Sequence, residues 1–212
     1  MKRKARGMAQ MKIELPCAEY MLQLDSIDYD AIPTLLESEE AAGRRIIDFG
    51  DPQYRSQTAL HIQAIRGNDE HWALTMATHT PSGLDEHSAV CFERRLAVAV
   101  GSFVACIDVP TGELLWAKEC DSATCFGIYV LADEAALIVH GELDITKLNT
   151  EGEMLWQSSG KDIFTGPFEI ANDGIRSVDF YGNVYWIRLD SGDIAIIGQQ
   201  EPPYPLRWVA KF

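Results

Sequence analysis

The second half of the chain repeats one sequence unit three times, and this repeat constrains the fold more than any other feature. The copies span residues 91–116, 129–156 and 168–197. Their turn glycines, Gly112, Gly152 and Gly192, are separated by 40 and again by 40 residues. A period of about 40 to 45 residues is typical of four-stranded antiparallel sheets that stack side by side. We therefore predict three such sheets within residues 87–200.

Each copy divides into four short strands, with the glycine in the last turn. Glycine suits a tight hairpin there because it adopts positive φ without a Cβ clash. Trp116 and Trp156 follow Gly112 and Gly152 at the same distance. A large ring on this predicted outer strand can cover the joint between two sheets. We therefore interpret both tryptophans, together with Gly112, Gly152 and Gly192, as structural residues of the repeat.

The N-terminal part gives weaker signals. Alternating apolar residues predict a β-hairpin over residues 11–24, and a proline followed by an apolar stripe and a final glycine predicts one short helix at about 31–42. A second hairpin is predicted from Thr58 to Met76. The predicted organisation is a flexible tail at 1–10, an N-terminal β/α segment at 11–86 that packs on the repeats, the repeats at 87–200 and a C-terminal tail at 201–212.

Residues 108–116 (DVPTGELLW) resemble the tryptophan-docking signature of the quinoprotein-like, PQQ-type β-propeller repeats. Residues 149–156 (NTEGEMLW) are a second copy, and residues 185–196 are a degenerate third with isoleucine in the place of tryptophan. The resemblance covers about residues 88–198 and implies a propeller-like fold. The polar residues that hold the quinone in enzymes of this family are not found here, and no two cysteines are adjacent. We therefore expect no cofactor and carry over no dehydrogenase activity.

Closed propellers have about four to eight sheets around one axis, whereas only three repeats are clear in this chain. We therefore predict a mainly β fold, an open propeller-like stack of about three four-stranded antiparallel sheets with an N-terminal β-hairpin and one short helix. The N-terminal elements are expected to cover an exposed sheet edge, because bare edges favour aggregation. An open edge also allows a homodimer that completes a larger ring.

The chain is strongly acidic, with 32 acidic and 18 basic residues and a net charge of −14. Such a surface repels phosphate backbones, so nucleic acid is not an expected partner. It would speed the encounter with a basic protein. Glu37, Glu39 and Glu40 lie on the outer face of the predicted helix. A solvated helix surface is one interpretation of these three residues, and an interaction site for a basic protein is the other.

The sequence also indicates the cellular compartment in which we expect the protein. No apolar stretch follows the basic N-terminus, and the longest apolar run, residues 96–109, is too short and too interrupted to span a membrane. The chain has five cysteines, an odd number, and it is large enough to fold without disulfide bonds. We therefore expect buried free thiols and a cytoplasmic protein with no membrane partner. A redox pair formed by Cys120 and Cys125 is the alternative for two of them.

A cluster of histidines is the strongest candidate for chemistry. His71, His79 and His87 are spaced eight residues apart around a loop that contains Asp85. Imidazoles and a carboxylate are zinc ligands, which makes His79, Asp85 and His87 weak candidates for a metal site. The spacing matches no known ligand signature, so solvated loop histidines are the other interpretation. No Gly-x-Ser-x-Gly elbow or phosphate-binding glycine loop is present.

Two functions from different classes fit these observations. The first is a non-enzymatic protein-binding β-repeat module whose acidic surface suits a basic partner, with an immunity-type inhibitor of a basic toxin as one concrete form. The second is a small metal- or ligand-binding enzyme that uses the loop from His79 to His87.

Overall fold

The computed structural model describes residues 12–28, 45–50, 58–80 and 83–201. The predicted helix with Glu37, Glu39 and Glu40, the N-terminal tail and residues 202–212 lie outside the described residues. Within them, seventeen strands form four sheets, and the only helix is a 3-10 turn at Ala132–Glu134. No helix in these ranges is long and apolar enough to cross a membrane. The fold is mainly β, as predicted.

Sheet 1 is built from two hairpins and one added strand. Its strands are β1 (Lys12–Cys17), β2 (Tyr20–Asp28), β3 (Arg45–Asp48), β4 (Thr58–Arg66) and β5 (Asp69–Ala77), in the spatial order β1-β2-β4-β5-β3. Strand β2 pairs antiparallel with β4, with Leu22 opposite Ala64, and β3 joins the outer edge parallel to β5. The two predicted hairpins thus share one sheet. The repeat period does not reveal this sheet, because β3 lies between the hairpins in the chain.

The three predicted repeats form three four-stranded sheets. Sheet 2 contains β6 (Ala89–Phe92), β7 (Arg95–Val100), β8 (Phe103–Asp108) and β9 (Leu114–Glu119). Sheet 3 contains β10 (Cys125–Leu131), β11 (Ala136–Gly141), β12 (Asp144–Asn149) and β13 (Met154–Ser159). Sheet 4 contains β14 (Phe168–Ile170), β15 (Gly174–Val178), β16 (Asn183–Arg188) and β17 (Ile194–Gln199). In each sheet the strands are antiparallel neighbours in chain order.

Sheet 2 is apolar on both faces because it lies between two other sheets. Leu96, Val98 and Val100 are buried in the core shared with sheet 1. Ala97 and Ala99 are buried in the core shared with sheet 3. Strand β7 therefore has a continuous apolar sequence in place of the alternation of a half-exposed strand. The same rule applies to β11, whose side chains are divided between the cores on either side of sheet 3.

The prediction of free thiols is wrong for two cysteines. Cys17 in β1 and Cys91 in β6 form a disulfide, with their Cα atoms 5.7 Å apart. The physical reason is that β1 and β6 are the first strands of neighbouring sheets, which brings together residues 74 positions apart in the chain. A sequence read locally cannot show that proximity. The disulfide ties the N-terminal sheet covalently to the first repeat.

The other three cysteines are free and buried. Burial raises the pKa of Cys106 and of Cys120 to about 12, and it raises the pKa of Cys125 well above its ordinary value. Cys120 and Cys125 each donate a hydrogen bond from Sγ to a backbone carbonyl, at 3.4 Å in both cases. Thiols held in the neutral form are poor nucleophiles, so the burial of Cys120 and Cys125 does not favour a redox pair.

Candidate functional site

The predicted structural residues meet at the contacts between consecutive sheets, which we call junctions. Trp116 of sheet 2 lies against Gly152 of sheet 3, where a Cβ built on the glycine would stand 2.5 Å from the indole ring. The indole Nε1 donates to the carbonyl oxygen of Thr150 at 3.1 Å. Gly152 has φ +83°, a conformation that glycine adopts at little cost. The glycine therefore provides both the turn and the space for the ring.

The same arrangement occurs at the two other junctions. Trp156 lies against Gly192, and its Nε1 donates to the carbonyl oxygen of Leu189 at 3.0 Å. Trp72 lies against Gly112, and its Nε1 donates to the carbonyl oxygen of Val109 at 2.7 Å. Sequence reasoning missed Trp72 as a docking residue. Its signal is its position on the strand after a glycine turn, in the Thr58–Met76 hairpin, which the sequence indicates as at most a fragment of a fourth repeat.

A basic side chain reinforces each junction. The three bonds to carbonyl oxygens run from Arg45 to Thr111 at 3.1 Å, from Arg95 to Thr150 at 3.2 Å and from Lys147 to Leu189 at 2.8 Å. Arg95 also pairs with Glu151 at 2.8 Å, and the buried Lys147 pairs with Glu134 at 2.5 Å. Charge-assisted hydrogen bonds to the turn carbonyls fix the distance between consecutive sheets.

Within the described residues, the two ends of the stack lack this contact between a tryptophan and a turn glycine. Gly67 occupies the turn of sheet 1 that corresponds to Gly112, and a Cβ built there would meet no atom within 4 Å. Ile196 occupies the position in sheet 4 that tryptophan has in sheets 2 and 3, and its side chain is 42% exposed. Sheets 1 and 4 therefore each present one docking position that no described residue occupies.

A pocket of about 420 Å³ lies beside the first strands of sheets 3 and 4. We call it the aromatic pocket and define it by six of its lining residues, Asp85, His87, Phe126, Tyr129, His140 and Phe168. Phe126 and Tyr129 come from β10, which has a register shift between Cys125 and Gly127. His140 comes from β11, and Phe168 begins β14. A register shift like the one in β10 changes the direction in which the side chains of that strand point.

The rings of the aromatic pocket form a continuous wall. The imidazole of His140 stacks on the ring of Phe168, with centroids 4.2 Å apart and planes 13° apart. Tyr129 lies 5.0 Å from Phe168 and 5.0 Å from His87, measured between ring centroids. Phe126 meets His140 edge-on at 5.5 Å. The rings therefore contact one another in the order His87, Tyr129, Phe168 and His140, and together they line the pocket.

His140 is the chemically distinctive residue of this wall. It is only 8% exposed, and burial lowers its pKa to about 4, with the backbone of Phe164 and the charge of Asp85 partly opposing this effect. The imidazole is therefore neutral at pH 7. Its Nε2 has no hydrogen-bond partner among the described residues, and neither does the buried Oγ1 of Thr165 at the same pocket. A buried polar atom without a partner costs about 1 to 3 kcal/mol.

The rim of the aromatic pocket is acidic. Asp85 Oδ1 accepts hydrogen bonds from the backbone N–H of His87 at 2.8 Å and from the hydroxyl of Ser88 at 3.3 Å, which fixes the carboxylate in the turn. Glu86 is exposed and lies 3.6 Å from His87 Nε2. Burial, together with the charges of Asp85 and Glu86, raises the pKa of Tyr129. The electrostatic environment of the pocket therefore favours cations.

The predicted metal candidates are only partly brought together. Asp85 and His87 share the aromatic pocket, whereas His79 is not among its lining residues. No group of three or more His, Cys, Asp or Glu side chains in the described parts of the chain could hold a metal ion. Sequence reasoning missed Phe126, Tyr129, His140 and Phe168. They come from separate strands, and no spacing along the chain connects them.

No protein-family model and no curated protein matches the chain. Solved structures are similar to it in fold. The AfRom2 CNH domain is 9% identical, with a TM-score of 0.54, and the match covers 93% of this chain and 57% of that one. BamB from Moraxella catarrhalis is 11% identical (TM-score 0.49), with 92% of this chain and 67% of BamB covered. The computationally designed Ika4 protein is 9% identical (TM-score 0.46), with 58% and 79% covered.

At such identities a likeness shows the fold alone, and of these three structures the AfRom2 CNH domain supports the mainly β, propeller-like stack described above. The chain spans 57% of the AfRom2 CNH domain.

Proposed function

We propose that this chain is a non-enzymatic protein-binding module whose partner is a basic protein. The observation that carries the proposal is the aromatic pocket, a concave site with aromatic rings in its wall, two buried polar atoms that have no partner among the described residues, and an acidic rim. Binding sites typically combine an apolar wall with a few convergent polar groups. The net charge of −14 supports the choice of a basic partner, because complementary charge speeds encounter and orients the two molecules.

The repeat family is part of the proposal. The DVPTGELLW and NTEGEMLW segments resemble the docking signature of PQQ-type propeller repeats. The geometry at the junctions supports this assignment, because each indole lies on a turn glycine of the next sheet. We propose a member of that repeat class which uses the scaffold for binding. Fold and function are separable in such scaffolds.

An immunity-type inhibitor is the most concrete form of the proposal. Toxins that act on nucleic acid present basic surfaces, and an acidic protein can cover them. A homodimer is a second assembly that we propose, because Gly67 and Ile196 mark docking positions at opposite ends of the stack that no described residue occupies. Light scattering at micromolar concentration tests the dimer, and a strict monomer rejects it.

A cytoplasmic location remains a prediction. Disulfide bonds persist mainly in oxidising compartments. The Cys17–Cys91 disulfide therefore argues against a cytoplasmic location. Alkylation of the protein during extraction from its native cell, followed by mass measurement, counts the free thiols. Five alkylated cysteines support a cytoplasmic location, and three point to an oxidising compartment.

Binding is tested by affinity capture and reconstitution. The full chain serves as bait, and a retained protein is purified and titrated against the wild type, Glu86→Lys and Glu113→Lys. Glu86 and Glu113 are both exposed, but only Glu86 lies at the acidic rim. We expect a basic partner whose affinity falls with salt and with Glu86→Lys, while Glu113→Lys has a smaller effect. Failure to retain any specific protein, combined with turnover of a small molecule, overturns the proposal.

A further inference from the structure

We propose that the aromatic pocket receives a guanidinium group, the side chain of an arginine on the basic partner, between the rings of Tyr129 and Phe168 and the carboxylates of Asp85 and Glu86. This inference rests on the proposed function and deepens it, because it names the chemical group that the binding site recognises.

The rings provide the first reason. A cation is attracted to the face of an aromatic ring when it lies within about 6 Å of the centroid, and arginine is the most frequent partner. Tyr129 and Phe168 lie 5.0 Å apart between centroids, and His140 stacks on Phe168. One planar group laid along this wall can therefore contact more than one ring. A planar guanidinium stacks on such surfaces better than a tetrahedral ammonium does.

The unsatisfied polar atoms provide the second reason. His140 is more than nine-tenths buried, and its Nε2 has no hydrogen-bond partner among the described residues. Thr165 Oγ1, also buried at this pocket, is likewise unsatisfied within the described ranges. A neutral imidazole offers one acceptor nitrogen, and a hydroxyl offers two acceptor sites. Both atoms are closed to solvent, so a guanidinium, which has five N–H donors and no acceptor, satisfies them when the side chains that cover them shift on binding.

The charges provide the third reason. Among the described residues, no lysine or arginine lines the pocket, so no basic side chain of the described lining neutralises the carboxylate of Asp85. Glu86 is 87% exposed at the rim and can approach an incoming cation. An anion would be repelled by both carboxylates, and an uncharged apolar group would leave Nε2 and Oγ1 unsatisfied. Of the three ligand classes, only the cation satisfies every feature of the site.

The test uses the purified full chain and short blocked peptides that differ at one residue, measured by isothermal titration calorimetry. The probes contain arginine, its uncharged isostere citrulline, or lysine. We expect the arginine peptide to bind about tenfold more tightly than the citrulline peptide, and more tightly than the lysine peptide. Equal binding of arginine and citrulline, tighter binding of lysine, or no measurable binding of arginine would each overturn the inference.

Variants show whether the arginine peptide binds at the aromatic pocket. Phe168→Leu retains apolar volume but removes a π face, and Glu86→Gln removes one rim charge without reaching the core. We expect both variants to bind the arginine peptide several-fold more weakly than the wild type does. The control is Tyr181→Leu, because Tyr181 is an aromatic residue that is 47% exposed and does not line the pocket. Thermal melting checks that Phe168→Leu remains folded, and unchanged binding by Glu86→Gln would contradict the assignment independently of that variant.

The failure of this inference differs from the failure of the proposed function. If a basic protein partner binds but Phe168→Leu and Glu86→Gln leave its affinity unchanged, the guanidinium site is wrong and the protein-binding role stands. If the arginine peptide binds selectively but no protein is retained, the guanidinium site stands and the protein-binding role is wrong.

Discussion

Trp156 lies flat on Gly192, so that a Cβ added to the glycine would stand 2.8 Å from the Cγ and Cδ2 atoms of the ring. The indole Nε1 simultaneously donates to the carbonyl oxygen of Leu189. One side chain therefore closes the joint between two sheets by packing and satisfies a turn carbonyl by hydrogen bonding. Because the same pairing occurs at three junctions, the energetics of the stack can be tested one junction at a time.

Gly152→Ala is expected to destabilise the protein more than Gly67→Ala. Both glycines have positive φ, +83° and +67°, so both substitutions introduce backbone strain of about 1 kcal/mol. Only at Gly152 does the new Cβ also collide with Trp116, at 2.5 Å. We expect an additional loss of about 2 kcal/mol in the free energy of unfolding, measured by chemical denaturation. Equal losses at the two sites would show that the ring is not held against the turn.

The contributions of packing and of hydrogen bonding to stability can be measured separately at Trp116. Trp116→Phe keeps an aromatic ring but removes the N–H that donates to Thr150, and we expect a loss of about 1 kcal/mol. Trp116→Ala also removes the ring, for a total loss of about 3 kcal/mol. Leu115→Ala is the control on the same strand, because Leu115 is 47% exposed. Its effect should stay within about 0.5 kcal/mol in the same denaturation experiment.

The fold was predictable from sequence to the extent that its signals were periodic. The spacing of Gly112, Gly152 and Gly192 indicated the three repeat sheets, because each sheet reuses the same turn chemistry. The continuous apolar sequence of β7 reflects burial on both faces. Sheet 1 was seen only as separate hairpins, since its strand β3 interrupts the repeat and pairs in parallel with β5.

The candidate site was much less predictable than the fold. His87 and Asp85 were noticed because they are close in the chain, but they were combined with His79, which does not line the pocket. His140 and Phe168 stack across two sheets, and such a contact has no period in the sequence. The Cys17–Cys91 disulfide was missed for the same reason. Contacts that depend on how sheets face one another become visible only when the sheets are assembled.

The disulfide is expected to contribute strongly to stability. It closes a loop between residues separated by 74 positions, and the loss of chain entropy in the unfolded state then amounts to about 4 kcal/mol. Adding a reductant should therefore lower the denaturation midpoint of the wild type. The double variant Cys17→Ala/Cys91→Ala is the control and should be insensitive to reductant. A wild type that also ignores the reductant would show that the pair is not bonded in solution.

His140 should make the protein less stable in acid. Burial lowers its pKa to about 4 in the folded state, whereas an unfolded chain has the ordinary value near 6.5. Above pH 6.5 the residue is neutral in both states and has no effect on the pH dependence. As the pH falls from about 6.5 to 4, only the unfolded chain binds a proton, so the free energy of unfolding decreases. The loss reaches about 3 kcal/mol and then levels off below pH 4.

Other groups titrate in the same range, so the measurement is a difference between two proteins. His140→Phe keeps a ring that can pack against Phe168 and removes the titrating nitrogen. The free energies of unfolding of wild type and variant, followed by denaturation from pH 7 to pH 4, should converge or cross in favour of the variant as the pH falls. Parallel curves would mean that His140 titrates alike in both states, and the imidazole would then not be the buried, neutral group that the aromatic pocket requires.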